Sequence, residues 1–435
     1  MSRVLILATT TGYQTRAFGE AAERLGVELV FATDRCHMIE DPWRDQAIPI
    51  RFYDEAAAAA DIVASAGTRP IDGIIVVGDR PTVIAARVGE ALGLPGHSPK
   101  AVSIARNKQR TRECLRIAGL PAPWFRSTTV DTEPQDLAQA IEYPAIIKPV
   151  ALSGSRGVMR ADNPKAFVAD FKRLRTLLQS PDIRAERSDA HDVVLIEGFI
   201  PGREYALEGL LHHGTLHALA LFDKPDPLDG PFFEETIYVT PSAAEPRDQE
   251  AIVEAVTRAA EAIGLRHGPI HAECRVNEQG VFVLEVAARP IGGLCARALR
   301  FRKRGRESFP GDDRASLEEL LLRHSLGESP EKWGRESSAS GVMMIPIPQR
   351  GVFRRVDGVD AARSVAGIED VRVTAKADQL LIPLPEGASY LGFIFARGER
   401  PNEVDRALRE AHNRLSFTID PQIPVLTPRP MTSQV

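Results

Sequence analysis

The sequence predicts an α/β protein with an N-terminal doubly wound parallel sheet and a C-terminal β-rich α+β region. Three observations carry this. Apolar runs at 3–8, 27–32 and 71–77 are separated by helical stretches, the pattern of parallel strands covered on both faces. Residues 270–276 and 281–286 flank Asn277-Glu-Gln-Gly280 and read as a hairpin. After residue 340, strand-like runs at 341–347, 351–355, 371–374 and 390–397 precede one helical stretch at 401–415.

Taken in order, strand 3–8 leads through Thr9-Thr-Thr-Gly-Tyr13 into a helix at 14–25, ended by Gly26. That turn lacks the glycine pattern of a dinucleotide site. Helices follow at 54–66 and 81–92. Gly78-Asp79 closes the third strand, where open sheets bind ligands, so this region is expected to touch the substrate or to form a plain turn. Asn107-Lys108 opens a helix through Ala118, and Gly119-Leu-Pro-Ala-Pro123 ends it. Tyr143-Pro-Ala-Ile-Ile-Lys148 is a short strand that carries a lysine into apolar surroundings. A buried lysine needs an anionic partner, such as a phosphate, unless it snorkels to the surface. Ser153-Gly154-Ser155-Arg-Gly157-Val158 is a small-residue turn whose backbone N–H groups are free to wrap a phosphate.

A helix is expected at 164–178 and a polar loop at 180–192. Residues 193–208 read as strand, linker and strand, and carry Glu197, Phe199, Ile200 and Glu204. The backbone of such a hinge can read an adenine edge while a carboxylate takes ribose hydroxyls; a solvated strand-end charge is the plain alternative. Residues 223–233 are Pro- and Gly-rich, a loop leading into Glu234-Glu235-Thr-Ile-Tyr238. A helix at 245–263 precedes the hairpin. Residues 302–314 read as a basic mobile loop, 317–326 as a helix, 332–340 as a linker, and the tail after Asp420 as extended.

The hairpin carries the sharpest chemistry. In its simple register Glu273 and Glu285 lie across from each other, and two carboxylates that close repel unless a cation sits between them. Oxygen ligands of this kind suit Mg²⁺. Arg289, four residues on, can offer planar donors to a phosphoryl oxygen.

Length and composition set bounds. With 435 residues, 43% of them hydrophobic, the chain can bury a large core and should divide into two to four domains. A net charge of -5 favours neither nucleic acid nor a membrane surface. Cys36, Cys114, Cys274 and Cys295 are scattered without metal-type spacing, which fits free thiols in a reducing compartment. The N-terminus lacks a secretory pattern and no apolar run approaches a membrane span, so a cytoplasmic protein is expected.

In order along the chain stand Asn107-Lys108, Ile147-Lys148-Pro, the loop 153–158, Glu197-Gly-Phe-Ile-x-Gly-x-Glu204, Glu273 and Glu285-x-x-x-Arg289. Over roughly residues 1–330 this resembles the ATP-grasp superfamily of carboxylate–amine ligases. Glu234-Glu-Thr-Ile-Tyr-x-x-Pro-Ser, Leu-Glu-Val-Ala-Ala-Arg-Pro-Ile-Gly-Gly293 and Tyr390-Leu-Gly-Phe-Ile-Phe-Ala-Arg397 resemble its L-amino acid ligase branch, which joins amino acids into dipeptides or related amides.

The resemblance implies an ATP-grasp fold with a Rossmann-like domain at 1–105 and an ATP-grasp domain at 106–330. The latter would split into a small ATP-binding part at 106–190 and a large catalytic part at 191–330, with an L-amino acid ligase subdomain at 341–420. It implies ATP and Mg²⁺, with Mn²⁺ as a substitute, small acid and amine substrates, and a homodimer as an open alternative. Lys108 and Lys148 would hold ATP phosphates, and the loop of Ser153, Gly154, Ser155, Gly157 and Val158 would close over them. Glu197, Phe199 and Ile200 would form the adenine hinge, and Glu204 would bind ribose. Glu273 and Glu285 would ligate the metal, and Arg289 would stabilise an acyl phosphate. Gly292 and Gly293 would offer donors to a substrate carboxylate, while Glu235 and Tyr238 would face the amino-acid pocket. The loops 153–158 and 302–314 would act as lids. The sequence departs from the pattern twice: Ala287 stands where many members have Asn, and Tyr238 where some have His. His271 is the replacement candidate for handling the amine proton. Cys295 reads as a packing residue. Two other readings stay open: an ATP-grasp enzyme with a different acceptor, such as bicarbonate or a phosphorylated amine, and a nucleotide-binding protein without turnover.

Overall fold

A computed structural model describes residues 1–9, 13–34, 47–305 and 314–421. Thr10–12, Cys36 and the expected tail therefore lie outside the described residues, as does most of the expected 302–314 loop.

The chain opens with β1 (Arg3–Ala8), α1 (Tyr13–Leu25), β2 (Glu28–Thr33), β3 (Ile48–Pro49), α2 (Glu55–Ala66), β4 (Gly73–Val77) and α3 (Thr82–Leu92). The four strands form a parallel sheet of order β3-β2-β1-β4. Alternation along β1 explains why nearly all of it is apolar. Leu5 and Leu7 pack with Ile62 of α2 and Ile84 of α3, while Val4 and Ile6 pack on the opposite face with Phe18 of α1 and with Leu317 and Leu320 from far along the chain. Asp54 caps α2 by accepting from Ala57 N.

Next come α4 (Pro99–Ala105), α5 (Lys108–Ile117), β5 (Phe125–Thr129), α6 (Pro134–Ala138), β6 (Ala145–Pro149), β7 (Met159–Ala161), α7 (Pro164–Leu178), α8 (Pro181–Arg184) and β8 (Val193–Gly198). Asn107 caps α5 by accepting from Arg110 N, which fixes where Lys108 leaves the helix. The strands form an antiparallel sheet of order β5-β8-β6-β7. Phe167, Phe171, Leu174 and Leu178, spaced three and four apart, bury one stripe of α7 against it. The segment 180–192 is not simply a loop: it holds α8 and a short 3₁₀ turn at Asp189–Asp192. Pro at the first helical position and the burial of Ile183 and His191 supply the ordering that its polarity conceals.

The remainder contains β9 (Arg203–His212), β10 (Thr215–Asp223), β11 (Ile237–Thr240), α9 (Pro246–Ile263), β12 (Gly268–Asn277), β13 (Gly280–Ala287), β14 (Phe301–Lys303), α10 (Leu317–Ser325), β15 (Trp333–Arg335) and β16 (Ala339–Ile345). It ends with β17 (Gly351–Asp357), α11 (Val359–Arg363), β18 (Ile368–Val373), β19 (Leu380–Leu381), β20 (Gly392–Gly398), α12 (Pro401–Asn413) and β21 (Ser416–Pro421). An eight-stranded antiparallel sheet of order β13-β12-β9-β10-β11-β16-β20-β18 runs through both halves of this region. The expected linker at 332–340 is instead β15, paired with β14, and the start of β16. Buried Trp333 anchors it. Val404, Ala407, Leu408 and Ala411 face α12 onto the β16–β20 half of the sheet.

Candidate active site

The hairpin forms as its period implies. Glu273 on β12 stands opposite Glu285 on β13, with a register irregularity directly after Glu273. Each carboxylate has its own cation. Lys108 Nζ lies 3.0 Å from Glu285 Oε2, and Lys224 Nζ donates to Glu273 Oε1 at 3.0 Å. Burial works against the Glu273 charge, but Lys224 and His271 outweigh it and hold the carboxyl well below its usual range. Two opposed carboxyl groups that both line a cavity are a donor set that fits Mg²⁺.

Lys224 is the hub of this wall. It is 6% exposed and also donates to Glu204 Oε1 (2.8 Å) and Glu235 Oε1 (2.7 Å). Burial opposes its charge, and the three carboxylates outweigh that and raise it well above a normal lysine. Glu235 is pushed up by burial and by Glu273, against the pull of Lys224. Glu204 and Glu235 gather with Glu273 so that one oxygen of each lies within 4.8 Å of the others, with the Lys224 ammonium bonded to all three. Glu204 also accepts from Arg275 Nε at 2.9 Å. The buried Tyr238 hydroxyl stands 3.5 Å from Glu273.

At one end of the cavity, Lys148 on β6 is buried and donates to Glu197 on β8. Arg112 of α5, 1% exposed, binds the other Glu197 oxygen at 2.8 Å and the carbonyls of Val283 and Leu284 at 3.0 Å. Burial lowers the Lys148 pKa to about 8; Glu197 works against that and Arg112 adds to it. Glu197, despite burial, is pulled down to about 2 by Arg112 and Lys148. The loop 153–158 has left-handed backbone at Gly154, Ser155 and Gly157. A Cβ at Gly157 would sit 2.9 Å from Leu174, so glycine allows this close approach to α7. Gly157 N donates to Pro385 O and Arg156 Nε to Glu386 O, tying the loop to the C-terminal region. The Phe199 ring lies under Arg160 and Arg275, and Ile200 O accepts from Arg275.

At the other end, Arg289 is held by Asp79 (2.8 Å), so the end of β4 does reach the site. Gln14 of α1 donates to Gly293 O at 2.7 Å, and Ile291 N donates to Glu208. His271 lies between two carboxylates, Nδ1 3.2 Å from Glu208 and Nε2 3.7 Å from Glu273. Burial would lower its pKa, but these partners raise it to about 9, so it is an imidazolium at neutral pH rather than a free base. Glu208 is itself pushed up by burial, yet two flanking carboxylates favour the proton on the ring. Buried Cys295 packs on Met344, with burial raising its thiol pKa, and buried Ala287 faces His271 across the ladder.

All of this surrounds one cavity of about 660 Å³. Every site residue expected from the sequence lines it except Gly157, which supports its loop from behind. Lys224, Arg112, Arg275, Glu208 and Gln14 escaped sequence reasoning. Arg112 sits on a helix whose charged composition looks solvent-exposed. Lys224 starts a Pro/Gly-rich loop, and only its DKP context beside a buried strand hinted at it.

The fold and the cavity define an ATP-grasp ligase. Residues 141–298 match the ATP-grasp domain family, and residues 19–96 match the ATP-grasp N-terminal domain. The more particular match is at the C-terminus, where residues 343–420 match L-amino acid ligase C-terminal domain 2. The chain belongs to the L-amino acid ligase branch of the ATP-grasp superfamily. The solved L-amino acid ligase of Bacillus licheniformis superposes with a TM-score of 0.79 at 27% identity, covering 97% of this chain and 99% of that one. Uncharacterized protein y4rH of Sinorhizobium fredii is 24% identical over 97% of this chain and 84% of its own. Alanine–anticapsin ligase of Bacillus subtilis is 28% identical over 55% of this chain, which spans 52% of that enzyme's length. No described helix is long and apolar enough to cross a membrane.

Proposed function

We propose that the protein is an ATP-dependent carboxylate–amine ligase that couples an amino acid or related acid to an amine, often a second amino acid. The products are an amide or dipeptide, ADP and phosphate. The observation that carries this is the cavity in which the Lys108 and Lys148 ammoniums, the facing Glu273 and Glu285, and Arg289 with Gly292–Gly293 share one wall system.

A carboxylate is a poor acyl donor because oxide leaves badly. Transfer of the γ-phosphoryl group of ATP to it gives an acyl phosphate, and attack by a neutral amine then expels phosphate. Positioning and charge stabilisation supply most of the catalysis in such transfers. In this reading Lys108 and Lys148 hold phosphate oxygens and the loop 153–158 covers them. Phe199 and Ile200 form the adenine hinge and Glu204 faces ribose. Glu197, on the cavity wall beside them, fixes Lys148. Glu273 and Glu285 hold Mg²⁺, which neutralises phosphate charge when bound. Arg289, aimed by Asp79, stabilises the acyl phosphate. Gly292 and Gly293 receive the substrate carboxylate, while Tyr238 and Glu235 shape the amino-acid pocket. Glu235, with its raised pKa, is better suited to accept the amine proton than the charged His271. The domain limits 1–105, 106–330 and 341–420 belong to the same proposal.

The test is phosphate release from ATP and Mg²⁺ across single and paired amino acids, with products read by mass. Release that requires two amino acids, yields a new amide and disappears in Glu285→Gln is expected. Preserved ATP binding with no release for any acid and amine combination would overturn the ligase reading.

A further inference from the structure

Six of the ten histidines, His97, His212, His213, His217, His267 and His324, gather where α10 meets the ends of β9 and β12, and none lines the active-site cavity. The ladder explains part of this: Leu211 on β9 pairs with Gly268 on β12, so His212 and His267 are cross-strand neighbours. α10 brings in the third. The His267 ring stacks on His324 with centroids 4.4 Å apart, and His212 Nδ1 lies 3.3 Å from His324 Nε2. One ring nitrogen from each of His212, His267 and His324 lies within 4.8 Å of the others. His267 and His324 are 6% and 4% exposed, and His267 Nδ1 is buried with no hydrogen-bond partner among the described residues. A buried orphan nitrogen calls for an explanation.

We propose that His212, His267 and His324 bind a divalent transition-metal ion of imidazole preference, Zn²⁺ foremost. Three imidazoles without a carboxylate select Zn²⁺, Co²⁺, Ni²⁺ or Cu²⁺ over Mg²⁺ and Ca²⁺. Tetrahedral zinc sets ligand nitrogens about 3.3 Å apart, from bonds of about 2.0–2.1 Å. The His212–His324 pair already has that spacing, and His267 must shift off its stack to complete the set. Exposed His213 and half-buried His217 border the cluster and mark the entry side, where one of them or water can fill the fourth position. Leu317 and Leu321 on α10 line the active-site cavity, and His324 follows Leu321 by one turn. The ion would therefore pin a cavity-lining helix to the large sheet.

The experiment uses untagged full-length protein, stripped with chelator and held in excess Mg²⁺ to fill the carboxylate sites. Zn²⁺ is titrated calorimetrically and Co²⁺ by visible absorption. One Zn²⁺ per chain, an intense four-coordinate Co²⁺ spectrum and a rise in melting temperature with Zn²⁺ are expected. His267→Gln and His324→Gln should each weaken Zn²⁺ by about 100-fold. His212→Gln, at a half-buried position, tests the same ligand set without touching the buried pair, and His412→Gln should change nothing. Equal Zn²⁺ affinity in wild type and His212→Gln, or a weak six-coordinate Co²⁺ spectrum, would overturn the site.

Discussion

Replacing Lys224 by Met removes the ammonium that Glu204, Glu235 and Glu273 share, at 2.8, 2.7 and 3.0 Å. The methionine is similar in length and fits the same channel, so the change is mainly one of charge. Removing one partner of a buried ion pair costs about 3–5 kcal/mol, because the other partners keep their charge without compensation. Arg275 still holds Glu204 and His271 still faces Glu273, which argues for the lower half of that range. For 435 residues, at about 2.1 cal/mol/K of unfolding entropy per residue, 1 kcal/mol moves a whole-chain melting temperature by about 1 °C. The expected drop is thus about 3–4 °C at neutral pH. The loss also has a sign in pH. In the wild type Glu273 is held well below the usual carboxylate value, so it adds stability above that value and loses it as pH falls. In the variant the carboxyls shift upward, the fold takes up protons, and the deficit grows as pH rises. Calorimetric melts of both proteins at about pH 5 and about pH 7.5 read this directly. A deficit equal at both values, or none at the higher one, would refute the hub.

Two further outcomes follow from the charged walls. Lys148 is charged below about 8 and neutral above it, so KM for ATP should climb as pH rises through that value, and Lys148→Arg should flatten the climb; a pH-independent KM in the wild type would remove Lys148 from phosphate binding. His271 has a raised pKa, so its contribution is whole below the ordinary 6.5 and lost as pH passes about 9. That is about 3 kcal/mol of unfolding free energy, measurable by denaturant titration across this window and absent from His271→Gln; wild-type stability that stays level to pH 10 would count against the Glu208–His271–Glu273 chain.

What could be read from sequence was whatever depends on local period. The facing of Glu273 and Glu285 follows from two strands and a turn, and the lysine of β6 stands out because its neighbours are all apolar. Helix α5 announces itself through Asn107 at its start, and α7 through the apolar stripe it buries. The rest depends on pairings between distant segments. Lys224 meets partners 20, 11 and 49 residues away, none on its own element's period. Arg112 reads as one more charge on a polar helix until β8 and β13 close over it. Nothing local distinguishes β15 from a linker, since its partner β14 lies some thirty residues earlier. His212, His267 and His324 come together only when α10 crosses two strand ends.

The large sheet does not stop at the ATP-grasp strands. β11, which carries Tyr238 and is buried along its length, pairs on its outer side with β16. The C-terminal region is therefore a continuation of the catalytic sheet and not an appendage. Cutting the chain before β16 would bare a row of unpaired backbone groups flanked by Ile237 and Val239, a template for pairing with another molecule. Exchange of C-terminal regions between relatives, by evolution or by design, would thus have to carry β16 along and keep its register with β11.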